Sequence, residues 1–147
     1  MHWDDTQLRV INFSEEGLIE CVVEVPQDSN VSIKHPHYSK KGMLYFIADY
    51  EDWWTLYRIE NPSEKQKKPQ KVLDKKIEIN SYSIENDDHA IIAYSEQGSV
   101  HIARVNLVTG EMINIGDVFS SADSISVASD TVYFRASTPS SGNAIYK

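Results

Sequence analysis

The chain has 147 residues, of which 41% are hydrophobic and 24% charged, with a net charge of −8. That is enough for one domain with a sizeable core. The acidic balance speaks against non-specific binding to nucleic acid or to an anionic membrane surface, which needs a basic face.

The N-terminus, Met1-His2-Trp3-Asp4-Asp5, lacks the basic and apolar runs of a signal peptide, and no stretch is long enough to span a bilayer. Cys21 is the single cysteine, so no internal disulfide can form. A reducing, cytoplasmic setting is the expectation, and Asn30-Val31-Ser32 is read as a chance glycosylation sequon.

In chain order, Trp3 and Thr6 open a strand at Gln7–Asn12, and Ile19–Val23 reads as a second. His35-Pro36-His37 reads as a turn leading into Met43–Ala48, an almost continuous apolar strand. The acidic tip Asp49-Tyr50-Glu51-Asp52 and the pair Trp53-Trp54 precede Thr55–Glu60. Lys65, Lys67, Lys68 and Lys71 lie among polar residues and read as a solvated loop. Short strands follow at Lys71–Leu73, Ala90–Tyr94, His101–Asn106 and Glu111–Ile115. The last is entered through the tight turn Thr109-Gly110. Thr131–Ala136 and Ala144–Lys147 complete the series, and no segment carries the apolar stripe of a helix.

These strands repeat. Leu8, Leu56, Ile102 and Ile145 are equivalent at intervals of 48, 46 and 43 residues, and Leu44, Ile91 and Val132 at 47 and 41. A period in the forties built only of strands is the size of a four-stranded propeller blade. The expectation is therefore an all-β chain, a β-propeller fragment of about three to four four-stranded antiparallel blades. One partial propeller covers residues 1–147, with blade parts about 1–34, 35–80, 81–122 and 123–147. Apolar strands such as Met43–Ala48 and Thr131–Ala136 should be buried on both faces. Open end blades would expose edges and apolar faces around Leu8, Ile11 and Ile145, which makes self-association possible.

The run His35 to Asp49, followed by Trp53-Trp54-Thr55-Leu56-Tyr57-Arg58, is the most specific stretch. It resembles the propeller of the prolyl oligopeptidase family of serine peptidases, in the branch of acyl-peptide hydrolases and dipeptidyl peptidases. There a proline and an aromatic precede a serine turn, a Leu-Tyr-Phe strand ends in Asp, and a Trp-Trp-x-Leu-Tyr-Arg strand follows. The resemblance implies a propeller that gates or positions peptide substrates, with the remaining blades and an α/β-hydrolase domain as partners. It assigns Trp53, Trp54, Leu56, Tyr57 and Arg58 as a structural motif. The Gly-x-Ser-x-Gly elbow of the hydrolase domain does not occur in these residues, so no catalytic residue is assigned. The alternative is a TolB-like propeller serving as a protein-interaction scaffold; a stand-alone lactonase-type enzyme would need a metal set that is not evident.

Other constellations carry less. His35 and His37 lack a nearby third metal ligand, and Asp49, Glu51 and Asp52 lack calcium-loop spacing. No cofactor or metal is expected. Ser81, His89 and Asp123 could be drawn as a triad, but a sequence this rich in serine always permits one. Trp53 and Trp54, as neighbours on a strand, should pack opposite wedges between blades. Arg58 and Arg104 recur at one blade position, where an ion pair is expected.

Overall fold

The computed structural model describes residues 7–24, 31–64 and 68–147. Trp3 and Thr6, Asn30 of the sequon, Lys65 and Lys67 lie outside these residues. The described residues contain no helix, and thirteen strands run through them.

The strands form four antiparallel sheets in chain order. Sheet I pairs β1 (Arg9–Phe13) with β2 (Ile19–Glu24), the strand that holds Cys21. Sheet II contains β3 (Ile33–Tyr38), β4 (Leu44–Ala48), β5 (Thr55–Ile59) and β6 (Gln70–Lys71) as neighbours in that order. Sheet III repeats it with β7 (Glu78–Ile84), β8 (His89–Glu96), β9 (Ser99–Asn106) and β10 (Met112–Asn114). Sheet IV has β11 (Ser121–Ala128), β12 (Thr131–Thr138) and β13 (Ser141–Tyr146). Each strand pairs with the next in sequence, so the sheets are meanders. This is the construction of propeller blades.

Side-chain alternation explains how the blades stack. Successive strand residues point to opposite faces. On β4, Leu44, Phe46 and Ala48 join Val10, Val31 and Ile33 in the core between sheets I and II. Tyr45 and Ile47 face the other way, into the core shared with Ile79, Ala90, Ile92 and Tyr94 of sheet III. On β8, Ile91 and Ala93 turn instead toward Phe119, just ahead of β11, and toward Ala122 and Ala136 of sheet IV. Every central strand of sheets II and III thus feeds two cores, which is why β4 and the middle of β8 are continuously apolar rather than alternating.

β12 differs. Its Val132, Phe134 and Ala136 pack on sheet III, but Tyr133 on the opposite face is 39% exposed. The expectation of burial on both faces is wrong here, because no described sheet covers that face. Positions equivalent by the repeat make the same point: Leu56 is 0% exposed, Ile102 1% and Ile145 80%. Leu8 is also corrected: it packs on the core between sheets I and II rather than lying open. Ile11, on the other face of β1 from buried Val10, is 44% exposed.

The first strands of sheets II, III and IV each carry a bulge. Register shifts fall between Lys34 and His37, between Ile79 and Ser81, and between Asp123 and Ser126. His35 and Ser124 adopt φ of 54° and 53° inside two of them. His35-Pro36-His37 is therefore bulged strand, not the expected turn. Pro36 is tolerated because β3 is the edge of its sheet and the bulge interrupts the ladder. β11 lies along β7, and β3 touches β7, so the bulged strands line the narrow side of the wedges.

Candidate functional site

The Trp-Trp-x-Leu-Tyr-Arg motif leads into and forms β5 of sheet II, between the core shared with sheet I and the core shared with sheet III. Asp52, at φ 63°, ends the β4–β5 hairpin, and β5 begins only at Thr55. Trp53 and Trp54 thus precede the strand, and strict alternation does not govern them. Trp53 is 40% exposed, contrary to the expectation that it fills a wedge. Trp54 is half-buried against the core between sheets II and III. Its carbonyl accepts a hydrogen bond from the Ile79 N–H at 2.7 Å across the blade boundary. The Lys34 ammonium lies 4.2 Å from its ring centroid, a cation–π contact. Burial pushes the Lys34 pKa down, while Glu78 and Asp49 pull it up.

Leu56 and Tyr57 divide the wedges between them. Leu56 enters the core shared with sheet III, and Tyr57 the core shared with sheet I. The Tyr57 ring stacks on Phe46 at 6.2 Å and meets the edge of Tyr50 at 4.8 Å. Burial, with Glu51 and Asp49 nearby, pushes the Tyr57 phenol up to about 12. Among the described residues its hydroxyl has no hydrogen-bond partner.

Arg58 reaches outward from sheet II to sheet III. Its Nη1 donates to the Leu107 carbonyl at 2.6 Å, and its Nε lies 3.4 Å from Gln70 Oε1. Arg104, at the equivalent position, instead pairs within its own blade with Glu85 at 2.6 Å. The recurring base therefore does two jobs: one bridges blades, the other ties a third strand to the end of the first. A third arginine, Arg135 on β12, forks onto both oxygens of Asp123 at 2.9 and 2.7 Å. That hydrogen-bonded pair holds the Asp123 carboxyl below its usual range.

Along the bulged strands the polar groups serve packing between blades. The buried Tyr82 hydroxyl donates to the His35 carbonyl at 2.8 Å, across the boundary of sheets II and III. His37 meets the Tyr82 ring edge-on at 6.4 Å. Burial pushes the Tyr82 phenol strongly up. Sequence reasoning did not single out Tyr82; its isolated aromatic among serines was the available signal.

The other constellations are separated. Asp49 accepts from the Ser32 N–H at 2.7 Å, and Glu51 pairs with Lys71 at 2.7 Å. Among the described residues, no group of three His, Cys, Asp or Glu side chains is placed to hold a metal. Of Ser81, His89 and Asp123, the first has a buried hydroxyl with no hydrogen-bond partner among the described residues. His89 lies against Asn86, and Asp123 is taken by Arg135. Nothing in this arrangement activates a nucleophile. Among the described residues no helix is long and apolar enough to cross a membrane.

No protein-family model matches the sequence, and no curated protein matches it. Solved structures do. A puromycin hydrolase crystal structure superposes with a TM-score of 0.83 at 13% identity, over 99% of this chain and 23% of the other. A puromycin-hydrolyzing peptidase of Mycobacterium tuberculosis gives 0.81 at 18% identity, again over 99% and 23%. A prolyl endopeptidase structure gives 0.72 at 14% identity, over 95% and 21%. The chain thus spans about a quarter of the length of each neighbour. Four stacked antiparallel meanders, superposing over nearly all their length on these peptidases, give the chain the fold of the propeller region of prolyl peptidases.

Proposed function

We propose that the chain is the non-catalytic propeller portion of a serine peptidase of the prolyl oligopeptidase type. It gates or positions peptide substrates for an α/β-hydrolase domain lying outside these residues, in the manner of acyl-peptide hydrolases. The observation that carries this reading is the lopsided match: 99% of this chain lies on 23% of a puromycin hydrolase. Such a match leaves most of the neighbour's length for other blades and another domain. In this reading Trp54, Leu56, Tyr57 and Arg58 are structural. They join three blades and leave the opposite, bulged strands facing the substrate path. The setting would be cytoplasmic.

The test is to recover the native polypeptide from its source cells with antibodies raised on this chain, then expose it to a serine-directed phosphonate. A polypeptide several times longer than 147 residues, labelled at one serine outside this region, supports the reading. A polypeptide that remains unlabelled and hydrolyses no peptide overturns it.

A further inference from the structure

The inner hairpins of sheets II and III carry opposite charge. Residues 31–48, around β3 and β4, hold Lys34, His35, His37, Lys40 and Lys41 and no Asp or Glu, in a chain whose net charge is −8. Residues 78–96, β7 to β8, hold Glu78, Glu85, Asp87, Asp88 and Glu96 and no Lys or Arg. Part of this contrast serves the boundary between the blades. Lys41 lies 3.6 Å from Asp87. Lys34 lies over the Trp54 ring, within electrostatic reach of Glu78 and Asp49.

His35, His37 and Lys40 are not used in that way. All are exposed, and among the described residues no carboxylate pairs with them and neither imidazole is hydrogen-bonded. They stand on β3 and its turn, at the narrow side of the wedge, where the bulge between Lys34 and His37 interrupts the ladder. His35 has φ 54° just ahead of Pro36, an uncommon conformation for a residue with a side chain. The buried Tyr82 hydroxyl of sheet III holds it there by donating to the His35 carbonyl at 2.8 Å. The neighbouring blade thus fixes the backbone that carries the imidazoles. The bulges of β7 and β11 contain Asn80 and Ser124 instead, which carry no charge.

We infer that His35, His37 and Lys40 form a binding strip for peptide carboxylates, whether from acidic side chains or from a C-terminus. Imidazolium and ammonium groups donate charge-assisted hydrogen bonds to a carboxylate. An unpaired row of them on an otherwise acidic protein draws anionic groups to one strand. The choice of a peptide as ligand rests on the reading of the bulged strands as a substrate path, and a bound peptide runs along β3.

The test titrates the 147-residue chain with three short alanine-based peptides and follows the imidazole signals by NMR. One peptide is capped at both ends and carries glutamates, the second is its glutamine counterpart, and the third is that counterpart with a free C-terminal carboxylate. A carboxylate peptide is expected to shift the His35 and His37 signals while those of His89 and His101 stay in place. The capped glutamine peptide shifts neither, and which carboxylate peptide acts identifies the source. Replacing His37→Gln and Lys40→Gln together weakens binding about fivefold or more. Lys76→Gln, at an exposed position outside the strip, leaves it unchanged. If neither carboxylate peptide shifts His35 and His37, or if all imidazole signals move together, the inference is overturned. Phosphonate labelling of the native polypeptide tests the peptidase reading separately, so either can fail while the other stands.

Discussion

The Arg58 guanidinium donates to the Leu107 carbonyl at 2.6 Å, joining the third strand of one blade to the outer hairpin of the next. This bond crosses the boundary between sheets and is charge-assisted. Arg58→Ala is therefore expected to lower unfolding free energy by about 1–3 kcal/mol. Arg104→Ala, which removes a half-exposed pair within one blade, should cost less than about 1 kcal/mol. Urea denaturation of the two variants gives the comparison.

The same outer wedge depends on Gly110. It sits at φ +75°, and a Cβ there would lie 2.7 Å from the Val72 carbonyl oxygen of the neighbouring sheet. Gly98, at φ +80°, has open space around it. Gly98→Ala should show only the left-handed penalty of about 1–2 kcal/mol. Gly110→Ala should show that penalty plus the displacement of one blade from the other. Equal losses of stability would mean that the close approach at Val72 is not maintained.

The two tryptophans differ in how much packing depends on them. Trp54→Ala, which empties part of the core between sheets II and III, should cost about 3 kcal/mol. Trp53→Ala, at an exposed position, should stay within about 0.5 kcal/mol. Thermal unfolding reads both. A cold Trp54 and a costly Trp53 would reverse the assignment.

The apolar strands were legible in the sequence because the two-sided burial of β4 and β8 leaves an uninterrupted hydrophobic run. The first strands were not. In β7 the bulge at Ile79/Ser81 puts buried Ile79 and Tyr82 three residues apart, which breaks the two-residue alternation that marks a strand. In β3 the same device hides behind Pro36, which reads as a turn. Trp53 was misplaced because the hairpin ends at a left-handed Asp52 and the strand starts late. The different duties of Arg58 and Arg104 could not be read either, since they depend on which carbonyl or carboxylate the neighbouring chain presents.

Alkaline pH should weaken the fold through its buried phenols. Tyr57 has a folded pKa of about 12 against 10.0 for the free side chain, so its contribution is complete below pH 10 and is lost as pH rises toward 12. Within that window each such phenol steepens the decline by about 1.4 kcal/mol per pH unit. Tyr45 and Tyr82 shift in the same direction. Lys34 has the opposite sign: its lowered pKa makes stability rise with pH just below its unfolded value of 10.5. Tyr57→Phe should flatten the decline without lowering stability at neutral pH, because the hydroxyl it removes is buried and unpartnered.

The central proposal is that this propeller shapes access to chemistry performed elsewhere. Its most direct test is to incubate the purified 147-residue chain with a serine-directed phosphonate and with acylated and free aminoacyl substrates, and to measure labelling by intact mass. No adduct and no hydrolysis are predicted, since Ser81, His89 and Asp123 have separate surroundings. Stoichiometric labelling of a single serine, lost when that serine is replaced by alanine, would contradict it.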